Sequence, residues 1–128
     1  MFDSRNASSA ALAYLGDAVL EVLVRQKLVE DGFTSSKALN ARALDFVRAS
    51  AQAKAMAKLL PHLTEQEDAV FHRGRNHGHG AHPKGATVGE YRNATGMEAL
   101  FGYLHMMGET ARINELFAIA YKEDEKCE

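Results

Sequence analysis

The stretch from Ser9 to Glu30 constrains this chain more than any other. On a helical wheel it shows two apolar faces, Leu12, Leu15, Val19, Val22 and Leu23 on one and Ala13, Leu20, Val24 and Leu28 on the other. Tyr14, Glu21 and Arg25 are left as a narrow polar edge. A helix apolar on two sides needs cover on both, so it is expected at the centre of a helical bundle. Asp17 falls in the middle of the second face. A carboxylate so placed is costly unless it is paired, hydrogen-bonded or bound to a metal. A Lys or Arg from another helix is the plainest partner.

The rest of the chain also reads as helix. Ser8 or Ser9 can cap the first helix, and Gly32 can stop it. Ser35 or Ser36 caps a second, carrying Leu39, Leu44, Phe46 and Val47. An Ala-rich third spans about residues 49–60 and closes at Pro61. Thr64-Glu65-Gln66-Glu67 has the form of a capping box and opens a short fourth through Val70 and Phe71. Residues 72–93 lose periodicity and hold Gly74, Gly78, Gly80, Gly85 and Gly89, which predicts a long loop. Helix returns over about 94–107, with Gly108 as its stop, and over about 110–121. A charged tail, 122–128, is expected to fray. With two prolines and almost no alternating β-branched runs, the fold class is all-α, one domain over residues 1–128.

Charge narrows the function. Fifteen Lys and Arg stand against seventeen Asp and Glu, which excludes a strongly basic nucleic-acid coat and makes any basic surface local. The predicted loop supplies one: Arg73, Arg75, Lys84 and Arg92 face only Glu90, about +3, which leaves about -5 for the remainder. Glycines and Asn76 beside these cations suit a segment that grips phosphates, the alternative being a merely solvated loop. His77, His79 and His82 lie there too, but no Cys or carboxylate completes a ligand set. The one cysteine, Cys127, permits no intrachain disulfide and points to a reducing compartment. No apolar run reaches the ~18 residues of a bilayer span, and residues 1–9 lack a basic-then-apolar leader. A cytoplasmic protein without a membrane partner is expected.

A second carboxylate could meet Asp17. Glu98 shares a helix face with Thr95, Gly102 and His105, while Met97, Leu100, Phe101, Leu104 and Met107 face elsewhere. Gly102 beside Glu98, and Gly16 and Ala13 beside Asp17, leave room for two backbones to approach. Two carboxylates converging there want a divalent cation with oxygen ligands, Mg2+ by default. Alternatively, Thr95-Gly96-Met97-Glu98 is itself a capping box, in which Glu98 only satisfies a backbone N–H.

These residues carry a resemblance. The string Leu12-Ala13-Tyr14-Leu15-Gly16-Asp17-Ala18-Val19-Leu20-Glu21 resembles the signature helix of the ribonuclease III catalytic domain. Glu98-Ala99-Leu100-Phe101-Gly102-Tyr103-Leu104, about eighty residues on, resembles that domain's second acidic motif. Arg73-Gly74-Arg75-Asn76 with Pro83-Lys84, followed by Tyr91-Arg92-Asn93-Ala94-Thr95-Gly96, is similar to one branch, mini-ribonuclease III, a catalytic domain without a double-stranded-RNA-binding module. The resemblance implies that Asp17 and Glu98 are the catalytic metal ligands. Ala13 and Thr95 stand where larger members have two further acids, so water and RNA phosphate must complete the coordination of one tightly held Mg2+. Mn2+ is the expected substitute, and a second ion arrives with substrate. The resemblance further implies a homodimer that hydrolyses double-stranded RNA to 5′-phosphate and 3′-hydroxyl ends, held by Arg73, Arg75, Asn76, Lys84 and Arg92. Its implied substrate is the precursor of 23S ribosomal RNA, with a ribosomal protein as a further partner that presents it. The alternative is a non-catalytic ribonuclease III-like scaffold in ribosome assembly. The two missing acids suit that role, and retention of Asp17 and Glu98 argues against it.

Overall fold

Hydroxyl groups set most of the helix starts. Ser8 Oγ accepts from the Ala11 N–H at 3.2 Å and Ser35 Oγ from Ala38 at 3.1 Å, each satisfying an amide that the helix itself cannot. Thr64 and Glu67 form the expected reciprocal box, Thr64 N–H donating to Glu67 Oε1 at 2.9 Å and Glu67 N–H to Thr64 Oγ1 at 3.1 Å. The computed structural model describes residues 2–4, 6–77 and 86–122. Its helices are α1 (Ser9–Glu30), α2 (Ser36–Val47), α3 (Ala49–Leu59), α4 (Glu65–His77), α5 (Val88–Met106) and α6 (Thr110–Ala120), with a 3-10 turn at Leu60–His62. No strand occurs among the described residues. Gly32 and Gly108 end α1 and α5 in the left-handed region, at φ 93° and 72°.

The central helix is α5, not α1. It packs against α1, α3, α4 and α6, and Met97, Ala99, Leu100 and Phe101 are fully buried in it. Around them lie Leu20 of α1, Met56 and Leu59 of α3, Val70 and Phe71 of α4, and Leu116 of α6. Helix α1 buries one broad stripe, Leu12, Ala13, Gly16, Leu20, Val24 and Leu28, which merges members of both expected faces. Its opposite side carries Tyr14, Val22 and Val29 at 86%, 62% and 65% exposure, so this chain alone covers α1 on one side only.

The long loop over 72–93 is corrected at both ends. Helix α4 runs through Gly74 to His77, and α5 starts at Val88. Gly74 does not break α4 because its bare backbone packs on α5. A Cβ there would lie 2.7 Å from Ala99 Cβ and 3.1 Å from Gly96 Cα. The start of α5 is a capping box one motif earlier than expected, Thr87 N–H donating to Glu90 Oε1 at 2.9 Å and Glu90 N–H to Thr87 Oγ1 at 3.0 Å. Residues 78–85, with Lys84, His79 and His82, and the tail 123–128, with Cys127, lie outside the described residues.

A second polar network fastens α6. Glu67 is buried, and Arg112 reaches it with Nε at 2.9 Å and NH2 at 2.8 Å, while NH2 also donates to the His62 carbonyl at 2.7 Å. The guanidinium holds the Glu67 carboxyl below its ordinary range, against the opposing pull of burial. No helix among the described residues is long and apolar enough to cross a membrane.

Candidate active site

The two acidic motifs meet where α1 crosses α5, and glycine makes the meeting possible. A Cβ on Gly16 would collide with the Glu98 carbonyl oxygen and come within 2.9 Å of the Gly102 nitrogen. A Cβ on Gly102 would collide with the Leu12 carbonyl oxygen and come within 3.0 Å of the Gly16 nitrogen. The helices therefore touch backbone to backbone, as the small residues predict, and Asp17 and Glu98 come within hydrogen-bonding reach of each other. With α5 capped by Thr87 and Glu90, the capping-box reading of Glu98 is set aside. Thr95 instead lies inside the helix, its hydroxyl donating to the Tyr91 carbonyl at 3.0 Å.

The burial of the pair is the reverse of the expectation from the wheel. Asp17 is exposed, on the rim of the buried stripe, and Glu98 is the half-buried member. Burial first, then the charge and hydrogen bond of Asp17, push the Glu98 carboxyl up to about 8. Near neutral pH Glu98 thus tends to keep its proton. A divalent cation can take the place of that proton and neutralise both groups.

The pair opens into a cleft of about 320 Å³ lined by Ser9, Ala10, Ala13, Tyr14, Asp17, Gly74, His77, Tyr91, Thr95 and Glu98. The small Ala13, Thr95 and Gly74 leave that volume free beside the carboxylates. Among the described residues no group of three or more His, Cys, Asp or Glu side chains could hold a metal ion. Asp17 and Glu98 would supply two oxygen-donor groups and leave the remaining positions to water and substrate. That donor set fits Mg2+, which keeps several waters and needs few carboxylates.

The expected phosphate-binding residues are scattered rather than gathered on a loop. Arg73 and Asn76 are exposed on α4, Arg92 is half-buried on α5, and Lys84 is outside the described residues. Arg75 is half-buried, its Nε donating to Asn93 Oδ1 at 2.8 Å. Sequence reading missed His77 and Tyr91 as cleft-lining residues, and it missed a second cationic stretch. Residues 36–59 carry Lys37, Arg42, Arg48, Lys54 and Lys58 against Asp45 alone, a count available from the sequence. Asp45 is paired with Arg42 at 2.8 Å, and it lines, with Arg48, Lys54 and Glu90 of α5, one shallow cleft.

The helical frame and the paired acids at the α1–α5 crossing define a ribonuclease III-type domain. The ribonuclease III domain pattern matches residues 10–109, and the chain belongs to that family. Within it the similarity runs to proteins called mini-ribonuclease 3. The one from Symbiobacterium thermophilum is 49% identical over 110 residues, covering 85% of this chain and 84% of its own length. That from Enterococcus faecalis is 42% identical over 118 residues, covering 91% of this chain and 89% of its own. An X-ray structure of a Fusobacterium nucleatum protein superposes with a TM-score of 0.86 at 28% identity, covering 96% of this chain and all of that one.

Proposed function

We propose that this chain is a metal-dependent endoribonuclease that cuts double-stranded RNA, with Asp17 and Glu98 as its metal ligands. The observation that carries the reading is the meeting of Asp17 and Glu98 in one cleft at the α1–α5 backbone crossing, in a chain of the ribonuclease III family. Mg2+, with Mn2+ as a substitute, would orient and acidify the attacking water and neutralise the phosphate. The chain's own residues do the rest. Asp17 and Glu98 hold the ion on a backbone-set spacing. Arg73, Asn76, Lys84 and Arg92 are the proposed phosphate contacts, and Arg48 and Lys54 add further cationic charge. An A-form duplex is then read by shape, phosphates and 2′-hydroxyls.

The finer reading is a homodimer that trims the 23S ribosomal RNA precursor, leaves 5′-phosphate and 3′-hydroxyl ends, and takes its substrate from a ribosomal protein. The exposed line of Ala11, Ala18, Val22 and Val29 beside Tyr14 on α1 supports self-association. Two copies of 14.0 kDa sediment near 28 kDa. Ala13 and Thr95, in place of further acids, favour the rival reading of a non-catalytic scaffold. Purified protein incubated with long duplex RNA, with and without Mg2+, separates them. Metal-dependent shortening of the duplex supports the nuclease, and binding without cleavage at any Mg2+ or Mn2+ concentration supports the scaffold.

A further inference from the structure

The last turn of α4 reaches the cleft without burying a side chain. After Gly74 this helix has no buried side chain, since Asn76 and His77 are exposed and Arg75 is half-buried. Yet Gly74 and His77 form one wall of the carboxylate cleft, opposite Tyr91 and Thr95 of α5. Next to Gly74 in the chain, and two residues from both Tyr91 and Thr95, the Arg75–Asn93 hydrogen bond, 2.8 Å long, joins the last turn of α4 to the first two turns of α5. We infer that Arg75 is a positioning residue, which sets the α4 wall of the cleft through Asn93, and not a phosphate contact.

The chemistry of the bond supports this assignment. Arg75 donates through Nε, the one guanidinium nitrogen with a fixed direction relative to the stem, to a neutral amide oxygen in a half-buried seam. That bond fixes the plane of the guanidinium against the α4–α5 seam. The consequence for cleavage rests on the duplex-RNA reading above, whereas the clamp itself is testable without RNA.

Substitution separates charge from hydrogen bond. The Nε2 of glutamine is as many bonds from the backbone as the Nε of arginine, so Arg75→Gln can donate to Asn93 Oδ1 without any charge. The test compares wild type, Arg75→Ala, Asn93→Ala, the double variant and Arg75→Gln. Its readouts are hydrogen exchange at residues 74–77, single-turnover cleavage of saturating duplex RNA with Mg2+, and the salt dependence of RNA binding. Each alanine variant should lose protection and cleavage rate by roughly tenfold, the scale of one partly buried hydrogen bond from a charged donor. The double variant should be no worse than the worse single, because the two side chains act as one unit. Arg75→Gln should restore both readouts, and the salt slope should stay constant throughout. The inference is overturned if Arg75→Ala flattens the salt slope by about 0.9, Arg75→Gln does the same, and Asn93→Ala is silent. Wild-type protein inert on duplex RNA would remove the functional reading alone. The hydrogen-exchange comparison would then still decide for or against the clamp.

Discussion

Adding one methyl group at the α1–α5 crossing tests the reasoning about the site most directly. In Gly16→Ala the new Cβ would overlap the Glu98 carbonyl oxygen and lie 2.5 Å from the Glu98 carbonyl carbon and 2.9 Å from the Gly102 nitrogen. Non-bonded contacts of carbon relax near ~3.5–4.0 Å, so the helices must part by more than about 1 Å, the overlapped carbonyl oxygen setting the distance. The obstacles are main-chain atoms, which cannot rotate away. Overpacking against them costs about 3–4 kcal/mol, at or just above the upper end of the usual range. Alanine returns about 1 kcal/mol of helix propensity, for a net loss of about 2–3 kcal/mol. A chain of this size then melts roughly 10 °C lower. Gly89→Ala is the matched control, since its Cβ would meet only Thr87 Oγ1, at 3.9 Å in the exposed first turn of α5. It should raise the melting temperature by about 2 °C through propensity alone. Thermal melts followed by circular dichroism, with duplex-RNA cleavage measured well below both midpoints, form the assay. Gly16→Ala should also cut at least ~100-fold slower, because a misplacement of about 1 Å at a reacting centre costs that much. A Gly16→Ala protein as stable as wild type would refute the backbone-contact account. One that is destabilised but fully active would refute the placement of the site.

Three further outcomes follow from the same geometry. Asp17→Asn and Glu98→Gln should each lower metal-dependent cleavage by about a thousandfold, the loss of several kcal/mol of charge stabilisation, with folding by circular dichroism intact. Metal-free stability should depend on pH through Glu98, whose carboxyl titrates near 4.5 unfolded and about 8 folded. The folded state binds the extra proton, so this contribution is complete below 4.5 and is lost as pH rises to 8. Urea midpoints of wild type minus Glu98→Gln should show that fall, Mg2+ should abolish it, and a flat difference would refute it. Arg112→Ala should destabilise by about 3 kcal/mol, because it leaves the Glu67 carboxylate buried without its cation. Equilibrium unfolding at neutral pH measures the loss, and Arg112→Ala together with Glu67→Gln should recover part of it.

What could be read from residues alone was whatever depends on near neighbours. Ser8, Ser35 and the Thr64–Glu67 box cap helices by contacts three residues long, and each appears in the structure as the spacing predicts. Gly16 next to Asp17 and Gly102 one turn from Glu98 likewise announce a close crossing. The misreadings all turn on a partner from elsewhere in the chain. Thr87-Val88-Gly89-Glu90 and Thr95-Gly96-Met97-Glu98 have the same capping pattern, and only burial of Ala94, Gly96 and Met97 against neighbouring helices decides that the second lies inside α5. Gly74 reads as a breaker until Gly96 and Ala99 are placed beneath it. The hydrogen bond from Arg75 to Asn93, eighteen residues away, is likewise invisible to local spacing. Asp17 looks buried because a wheel cannot show that the cleft opens on its side of α1.

Helix α5 is clasped along bare backbone twice, by α1 at Gly102 and by α4 at Gly96, with Glu98 between the two contacts. The gap between the carboxylates is thereby set by main-chain atoms together with the Phe71 ring and Ala99 Cβ, and the other apolar side chains that fill the interior have little say in it. For a protein engineer this separates two tasks that are usually entangled. Leu20, Met56, Leu59 and Leu116 can be exchanged for other apolar residues of equal total volume, for thermostability or expression, without retuning the acidic pair. A wider or narrower cleft, such as a larger cation would need, calls for coordinated changes at Gly16, Gly102, Gly74 and Gly96, since relaxing one contact leaves the other still holding the helix.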